Sequence, residues 1–345
     1  MNQITLGITG ITVPQNAFGA LPVQRVSQDY AVKLLRRAYD GGMRFFDTAR
    51  AYSDSEIKVG EAFDGIRDQI YIATKTAAKT PEEFRKDLES SLKNLRTDYV
   101  DLYQLHCVPR CYRPGDGTGL YECLEEAKKQ GKIRHIGITA HKLGVAEDII
   151  ESGLYETLQY PISYLSSDRE LALIGKCKEK NMGFIAMKGL AGGLINNAKA
   201  AMAFMREYDN VLPIWGIQKE NELEEWLAFM EEPPAMTEDI RAFIARERQE
   251  LTGEFCRGCG YCMPCPAGIL INNCARMSLM LRRAPSKAWL TEEMQAEMKK
   301  IEGCLECGQC MSRCPYELNT PQLLKKNYED YQLVLSGERT VSSPF

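Results

Sequence analysis

Short apolar runs alternate with amphipathic stretches along the chain as far as about residue 232. The apolar runs are rich in branched and aromatic residues, which is typical of buried parallel strands. The stretches between them carry helix signals, such as Thr80 as an N-cap before Pro81 and Gly131 after Lys128 and Lys129. The pattern predicts eight strands: Ala17–Val23, Met43–Phe46, Gln69–Ala73, Tyr99–Leu105, Ile133–Ile138, Thr157–Tyr160, Gly183–Met187 and Asn210–Ile214.

A helix is predicted after each of these strands. Eight strand–helix repeats within about 230 residues favour an α/β protein whose parallel sheet closes into a (β/α)8 (TIM) barrel. An open, doubly wound sheet is the alternative. It is disfavoured because no Gly-x-Gly-x-x-Gly run follows an early strand. The predicted helices are Gln28–Tyr39, Ser55–Phe63, Pro81–Leu95, Gly119–Lys129, Leu143–Ser152, Arg169–Lys180, Ala198–Glu207 and Asn221–Met230.

The pattern changes after residue 232. Two acidic residues, two prolines and a charged helical run up to Glu250 are typical of a connector. From Phe255 the chain consists of short cysteine-rich loops, with one helical stretch near Met280 whose Met and Leu residues are expected to pack into a core. We therefore predict a barrel at residues 1–235, a connector at 236–250, a small domain of helices and loops at 251–335 and a solvated tail at 336–345.

The charge balance and the absence of long apolar runs exclude several classes of protein. The chain has 345 residues, with 43 Lys and Arg against 47 Asp and Glu, and a net charge of −4. This balance lacks the basic footprint of a nucleic-acid-binding protein. No apolar run approaches the ~18 residues of a membrane span, and the chain does not begin with the basic and apolar regions of a signal peptide. We expect a cytoplasmic protein that binds neither nucleic acid nor a membrane.

Four polar side chains stand at predicted strand ends or in the loop that follows: Asp47, Tyr52, Lys75 and His106. Chemistry in such a barrel takes place at the carboxyl ends of the strands, so we expect these groups to converge. A nearby Lys ammonium would lower the tyrosine pKa from its usual value of about 10, and Asp47 would hold the Lys in place. The imidazole would hydrogen-bond a substrate carbonyl. These four side chains suit delivery of a proton to a carbonyl oxygen while hydride or electrons reach the carbonyl carbon.

The residues around these positions resemble the aldo-keto reductase superfamily over residues 1 to about 232. The resemblance implies a barrel that interconverts a carbonyl and an alcohol. It implies Tyr52 as the proton donor, Lys75 and Asp47 as the pair that tunes it, and His106 as the group that orients the substrate. The matching stretches are Phe45-Phe46-Asp47-Thr48-Ala49-x-x-Tyr52-x-x-x-Glu56, the strand end at Lys75, and Leu102-Tyr103-Gln104-Leu105-His106.

The same resemblance implies a nicotinamide site, with several departures. Gln159 matches a residue that binds the carboxamide, Thr139 replaces the usual Ser, and Met187 stands where many members stack an aromatic ring. Gly216 and Glu222 fall where Lys and Arg usually bind the 2′-phosphate of NADP. A carboxylate there would repel that phosphate and would instead accept bonds from ribose hydroxyls. NAD(H), NADP(H) and neither of them all stay open.

Nine of the 13 cysteines lie between residues 256 and 314. Eight of them form two runs of four that each end in Cys-Pro, and the ninth lies between the two runs. The second run has the spacing of bacterial ferredoxins. Disulfides are disfavoured without a secretion signal, and structural zinc favours two separated cysteine pairs instead of runs of four. The region resembles the two-cluster ferredoxin domain fused behind some bacterial aldo-keto reductases. The runs are Cys256-x-x-Cys259-x-x-Cys262-x-x-Cys265 and Cys304-x-x-Cys307-x-x-Cys310-x-x-x-Cys314, and the ninth cysteine is Cys274.

This resemblance implies two [4Fe–4S] clusters in a small ferredoxin-like iron–sulfur domain. Each cluster takes three cysteines from one run and the Cys that precedes proline in the other. The first run has two residues, instead of three, before Cys265, which leaves the fourth ligand of one cluster open. The expected sets are Cys256, Cys259, Cys262 and Cys314 for one cluster, and Cys304, Cys307, Cys310 and Cys265 for the other.

The predicted function is an oxidoreductase that interconverts a small carbonyl compound and an alcohol at the barrel site. The two clusters would connect that site to a one-electron carrier of the ferredoxin or flavodoxin type. One alternative is an enzyme on the same site that works without nicotinamide, because Met187 and Glu222 replace expected cofactor contacts. A second alternative is an electron-transfer module whose barrel serves only as a scaffold, which would require vestigial catalytic residues.

Overall fold

The structure is a computed structural model that describes residues 1–251, 255–283, 289–314 and 316–341. The chain divides into two compact units. The first unit contains Met1–Gly189 and Asn197–Ile244, and the second contains Leu190–Asn196 and Ala245–Phe345. The boundary near residue 244 falls inside a helix, α9 (Glu238–Glu250), which occupies most of the predicted connector.

The first unit is a closed barrel of eight parallel strands, as the sequence predicts. All eight predicted strands are present, and neighbours along the chain pair side by side until β10 closes the barrel on β3. The interior is apolar, with Phe45, Leu102 and Leu212 fully buried. The strands are β3 (Ala17–Gly19), β4 (Phe45–Asp47), β5 (Tyr71–Thr76), β6 (Val100–Leu105), β7 (Ile133–Thr139), β8 (Thr157–Pro161), β9 (Gly183–Met187) and β10 (Val211–Gly216).

A helix follows each strand, so the outer ring has eight helices besides α9. The predicted caps are present: the Thr80 side chain accepts a hydrogen bond from the Glu83 amide, and Pro81 occupies the first helical turn. The predicted bounds agree to within a few residues. The helices are α1 (Gln28–Asp40), α2 (Ser55–Ala62), α3 (Pro81–Asn94), α4 (Leu120–Lys129), α5 (Leu143–Ser152), α6 (Asp168–Glu179), α7 (Ala198–Met205) and α8 (Glu220–Glu231).

An antiparallel hairpin that the sequence analysis missed precedes the barrel, formed by β1 (Gln3–Thr5) and β2 (Thr12–Pro14). Its buried side chains, Ile4 and Val13 among them, pack with the barrel interior. Gly7 bridges to the residue before β9, so the hairpin lies where that strand begins. The opposite ends of the strands are left to carry the polar residues described below.

The second unit is made of short helices and loops around a small apolar core. Ile269, Met277, Leu281, Leu324 and Tyr331 are buried in it. Its longest helix, α14, begins with an Asn319 cap. The helices are α10 (Ile271–Cys274), α11 (Met277–Arg283), α12 (Glu292–Lys299), α13 (Gln309–Ser312) and α14 (Thr320–Leu335). The last predicted boundary, at residue 336, coincides with the end of α14, and residues 342–345 lie outside the described part.

The second unit also takes in the segment Leu190–Asn196, which lies between β9 and α7 in the chain. Two arginines of the unit hold its backbone. Arg276 donates to the carbonyl of Gly192, and Arg283 Nε donates to the carbonyl of Leu194 at 2.7 Å. This division was not anticipated, because nothing in the local sequence of the segment distinguishes it from an ordinary barrel loop.

Candidate active site and cysteine sets

Asp47 and Lys75 form a buried ion pair at the carboxyl ends of adjacent strands. Asp47 is the last residue of β4 and Lys75 is near the end of β5. Their exposed fractions are 2% and 1%, and the ammonium lies 2.7 Å from the carboxylate. Lys75 Nζ also donates to the Thr48 carbonyl at 2.6 Å. Burial lowers the pKa of Lys75 and raises that of Asp47, and their mutual attraction opposes both shifts.

Tyr52 and His106 face each other beside this pair. Tyr52 lies in the β4–α2 loop, and His106 directly follows β6, where its amide donates to the Thr76 carbonyl at 2.8 Å. The two rings meet edge to face with their centroids 5.7 Å apart. Lys75 Nζ lies 5.3 Å from the centroid of the tyrosine ring. The structure therefore brings together all four residues that the sequence analysis placed at the catalytic site.

Electrostatics at this site differ from the sequence-based expectation in one respect. Burial raises the pKa of Tyr52, and the negative charge of Asp47 adds to the effect. The expected lowering by Lys75 does not prevail, because loss of solvent costs the phenolate more than a nearby cation returns. Burial also lowers the pKa of His106 to about 3, with the charges of Lys75 and Lys188 adding to it. At neutral pH the site thus holds a protonated phenol and an uncharged imidazole.

Glu56 supports the ion pair from behind, a role that the sequence analysis left unassigned. Its carboxylate is buried on α2 and acts electrostatically on Lys75. Three side chains donate to it, from Thr74 and Ser91 at 2.7 Å each and from Asn94 at 3.1 Å. The signal was present in the sequence, since Glu56 ends the quoted motif four residues after Tyr52.

Three further residues near His106 were also missed. His141 is 3% exposed, and its Nε2 lies 3.2 Å from Lys188 Nζ. Cys107 acts electrostatically on Tyr52. Cys107 and Lys188 each follow a strand end in the left-handed region, with φ of 53° and 58°. Non-glycine residues rarely adopt this conformation, and such strain concentrates at functional sites.

Thr139, Gln159 and Met187 lie on three successive strands, with Thr139 and Met187 at the strand ends and Gln159 two residues before the end of β8. Thr139 pairs with Gln159 in the β7–β8 ladder, and Gln159 Nε2 lies 3.8 Å from the Met187 sulfur. The Thr139 hydroxyl accepts a hydrogen bond from the Cys107 amide at 2.6 Å. The amide of Gln104 donates to Gln159 at 2.8 Å. The expected carboxamide residues therefore share one edge of the site, and part of their hydrogen-bonding capacity is used within the protein.

Gly216 and Glu222 lie at the last strand–helix junction. Gly216 ends β10 and is exposed. The Glu222 carboxylate accepts hydrogen bonds from the amides of Gln218 and Lys219, at 2.9 and 3.0 Å. This is the part that a glutamate plays in a capping box at the start of a helix, here α8. Glu222 thus has a structural role that its alignment with a phosphate-binding position does not reveal.

The first cysteine set, defined as Cys256, Cys259, Cys262 and Cys314, comes together from two distant parts of the chain. Burial raises the pKa of Cys262 to about 12, and the charges of the other three thiols add to the effect. Burial likewise raises the pKa of Cys256, and the charges of Cys259 and Cys314 raise it further. Such coupling requires the four thiols to be near neighbours. Pro315, which completes the second run, lies outside the described residues.

The second cysteine set, defined as Cys265, Cys304, Cys307 and Cys310, lines a single cavity. Ile269, Ile271 and Leu324 form much of its apolar wall. Four soft thiol ligands around one apolar cavity fit an iron–sulfur cluster, whose usual ligands are cysteine thiolates. Within the described residues, no three His, Cys, Asp or Glu side chains are arranged to hold a single metal ion.

The fold and site agree with comparisons against known proteins. Residues 11–205 match the model of the aldo/keto reductase family, and residues 255–319 match that of the 4Fe-4S dicluster domain. The chain belongs to the aldo/keto reductase family and carries a C-terminal dicluster domain. The predicted family and fold class are thereby confirmed.

Individual relatives match about half of the chain. Aldo-keto reductase YhdN of Bacillus subtilis is 32% identical over 48% of this chain and 53% of its own length. L-galactose dehydrogenase of Arabidopsis thaliana is 30% identical over 55% of this chain and 66% of its own length. The chain thus spans between half and two thirds of these curated relatives.

Among solved structures, an aldo-keto reductase of Klebsiella pneumoniae in complex with NADPH superposes with a TM-score of 0.62. It is 22% identical, and the match covers 71% of this chain and 95% of that one. At this identity the likeness shows a shared fold. Separately, none of the helices in the described ranges combines the length and apolarity that crossing a membrane requires.

Proposed function

We propose that the protein is an oxidoreductase that interconverts a small carbonyl compound and an alcohol at the barrel site, with electrons passing between that site and an external one-electron carrier by way of two [4Fe–4S] clusters. The observation that carries the proposal is the convergence of Asp47, Tyr52, Lys75 and His106 at one rim of the barrel. Family membership and the dicluster domain support the reaction class. The whole would operate in the cytoplasm.

Tyr52 is the proton donor in this proposal. Reduction of a carbonyl adds two electrons and two protons in total, one hydrogen at the carbon and one at the oxygen. Because the pKa of Tyr52 is raised by burial, its hydroxyl carries a proton that it can give to a developing alkoxide, which is the stronger base. Lys75, held by Asp47, stabilises the phenolate that remains.

His106 orients the carbonyl. An imidazole with a pKa near 3 is neutral, so it offers an N–H to the carbonyl oxygen without competing for the transferred proton. Glu56 and its three donors fix the charge behind Lys75 and keep the pair rigid. In the oxidative direction the same groups would accept the proton of an alcohol.

Nicotinamide fits one part of the barrel better than another. Gln159 pairs with Thr139 and its side chain contacts Met187, a group that suits a carboxamide and ring, and a bound nicotinamide would supply hydride to the carbonyl carbon. At the other end, Gly216 has no side chain and Glu222 offers a carboxylate that caps α8. A 2′-phosphate would meet negative charge there. We therefore propose NAD(H) in preference to NADP(H).

The two cysteine sets would hold the clusters, which supply one-electron transfer when bound. The cavity that all four thiols of the second cysteine set line supports that assignment, including Cys265 as its fourth ligand. The mutual coupling of the first cysteine set supports the other. A carrier of the ferredoxin or flavodoxin type would exchange electrons with them.

Anaerobic purification followed by two titrations tests the proposal. Iron and sulfide should each approach about eight per chain, as two cubanes require. The protein should reduce members of a panel of carbonyl compounds when NADH is supplied. The visible absorbance of the clusters should decrease when NADH is added in place of the carbonyl substrate. A protein with full iron that turns over no carbonyl with any donor would contradict the enzymatic role.

A nicotinamide-independent enzyme is the second candidate. It is favoured by the use of the Thr139 hydroxyl and the Glu222 carboxylate within the protein itself. In that case a chemically reduced viologen, acting through the clusters, should support carbonyl reduction while neither NADH nor NADPH binds. Tight binding of either nucleotide removes this candidate.

A further inference from the structure

A guanidinium group lies against the first cysteine set. Arg276 precedes α11, and its charge acts on the thiols of Cys256 and Cys259. It is half-buried and holds its position through a hydrogen bond from Nη1 to the carbonyl of Gly192. A cation held so near two thiols of a proposed cluster is in a position to alter the energy of any charge placed on them.

The guanidinium packs directly against a glycine of the cysteine loop. Gly258, between the two cysteines, has φ of +67°, and a Cβ there would lie 2.6 Å from the guanidinium carbon. At Gly192, with φ of +69°, a Cβ would meet the Arg257 carbonyl oxygen at 2.4 Å before it met Nη1 at 3.0 Å. A side chain at Gly258 would have to displace the guanidinium. Gly258 therefore lets Arg276 approach the loop that carries Cys256 and Cys259 closely.

One donor of this arginine has no acceptor. Arg276 Nε is buried and makes no hydrogen bond to any group in the described part of the chain. A buried N–H without a partner is costly, so its presence calls for an explanation. The groups whose charges act on the arginine are Cys256 and Cys259, so a cluster bound there would bring its sulfur atoms to this side of the arginine.

We propose that Arg276 is a positioning residue that raises the reduction potential of the cluster on the first cysteine set, by its charge and by an Nε–H that is available to the sulfur atoms of the bound cluster. The inference rests on the proposed function, because it takes that set as cluster ligands. Reduction adds negative charge to a cluster, and hydrogen bonds and cations near its sulfurs favour that form.

The second cysteine set offers a contrast. A cation that interacts electrostatically with Cys304 is Lys325, whose side chain is 62% exposed and pairs with Glu306 at 2.7 Å. Solvent and a neighbouring carboxylate screen its charge. The two clusters should therefore differ in potential, with the first cysteine set holding the electron more firmly.

A redox titration of the full-length protein, monitored by electron paramagnetic resonance, tests the inference. The wild type should reduce in two waves, and Cys262→Ala, which loses one cluster, identifies which wave belongs to which set. Arg276→Gln should lower the equilibrium constant for reduction of the cluster on the first cysteine set tenfold or more, a shift of about 59 mV for one electron. The wave of the other cluster should not move. Lys325→Gln, the matched loss of an exposed charge, should move neither wave measurably.

Arg276→Lys keeps the charge but lacks Nε–H, so it should move the same wave in the same direction by a smaller amount. Unchanged waves in both Arg276 variants, with iron content equal to the wild type, overturn the inference and leave the proposed function intact. If the Gln variant does not assemble its cluster, an unmoved wave in the Lys variant alone overturns it. A wild type without two clusters instead overturns the proposed function.

Discussion

The barrel site and the cysteine-rich unit hold reactive groups in contrasting ways. At the barrel site, Asp47 and Lys75 sit on strands whose hydrogen-bonded ladder is complete on both sides. Their side chains are almost fully buried and are paired with each other. The geometry of this site is therefore set by the backbone and needs no ligand to maintain it.

The cysteines of the second unit stand mainly on loops and very short helices. Cys256 to Cys265 lie in a stretch without regular structure, and Cys310 is on α13, a helix of four residues. Cys307 is exposed. Short helices and loops form few internal hydrogen bonds, so metal–thiolate bonds should contribute much of the stability of this unit. One region is organised before its ligands bind, and the other is completed by them.

The largest effect is expected at the barrel site. Tyr52→Phe removes the proposed proton donor and should lower kcat/KM for carbonyl reduction by about 10²–10⁴-fold. Iron content and cluster spectra should not change, because the proposed cluster ligands all belong to the second unit, whereas Tyr52 belongs to the first. Tyr121→Phe is the matched control, since it removes a tyrosine hydroxyl that donates to the Leu154 carbonyl and lies outside the group of four catalytic candidates.

Steady-state kinetics and iron analysis on the same preparations decide this prediction. Equal activity in Tyr52→Phe and Tyr121→Phe would refute the donor assignment.

The second largest effect is expected from the loss of one cluster ligand, which should affect the second unit and not the barrel. Cys262→Ala should lose about half of the iron, because each cubane contains four iron atoms. Its barrel should still melt at the wild-type temperature in calorimetry, while the second unit melts earlier. Cys274→Ala is the control, because this fully buried thiol belongs to neither set and should retain all the iron. A single, uniformly lowered transition in Cys262→Ala would mean that the barrel also depends on the clusters.

Acid should act on the barrel through its buried histidines. Burial lowers the pKa of His106 to about 3 and holds that of His141 well below its usual value. Below the unfolded-state pKa of about 6.5, the unfolded chain binds protons that the folded barrel excludes. The free energy of unfolding should fall as pH falls from there, by at most about 1.4 kcal/mol per pH unit for each histidine.

Denaturant unfolding of the barrel at several pH values measures that slope. In His106→Gln the slope should be shallower than in the wild type. An identical slope in both proteins would show that His106 takes up its proton in the folded state.

The smallest effect concerns Glu222, where a structural and a functional role coincide. Glu222→Ala removes the acceptor at the start of α8 and should cost about 1 kcal/mol of stability. Glu222→Gln can still accept one of these hydrogen bonds, so it should cost less, yet it removes the charge and should narrow the preference for NADH over NADPH. Nucleotide titration and thermal melts distinguish the two. An unchanged preference in Glu222→Gln would place the specificity elsewhere.

The architecture of both regions was predictable because it depends on repeated local patterns. Strand–helix alternation, caps such as Thr80 and strand-end residues such as Lys75 each follow from short stretches of sequence, and the barrel rule then brings distant strand ends together. The spacing of the cysteines likewise contains enough information to identify a dicluster domain. These features can be predicted without any knowledge of long-range packing.

What escaped prediction depends on burial and on distant partners. Lys75 alone suggested a lowered Tyr52 pKa, but the loss of solvent around the phenol dominates, and no local sequence reports it. Glu222 looked like a nucleotide contact because alignment does not show which amides it bonds. Arg276 had no signature at all, since its relation to Gly192 joins residues 84 positions apart.

The assignment of Leu190–Asn196 to the second unit has a practical consequence for anyone who wishes to express either half alone. A gene cut near Ile244 would produce a barrel fragment that still carries these seven residues, two of whose carbonyls, those of Gly192 and Leu194, normally accept hydrogen bonds from Arg276 and Arg283. The complementary fragment would lack that piece. Expression of the two units as separate proteins therefore requires a replacement for Leu190–Asn196 in each of them. Truncation of the gene at a single position is not sufficient.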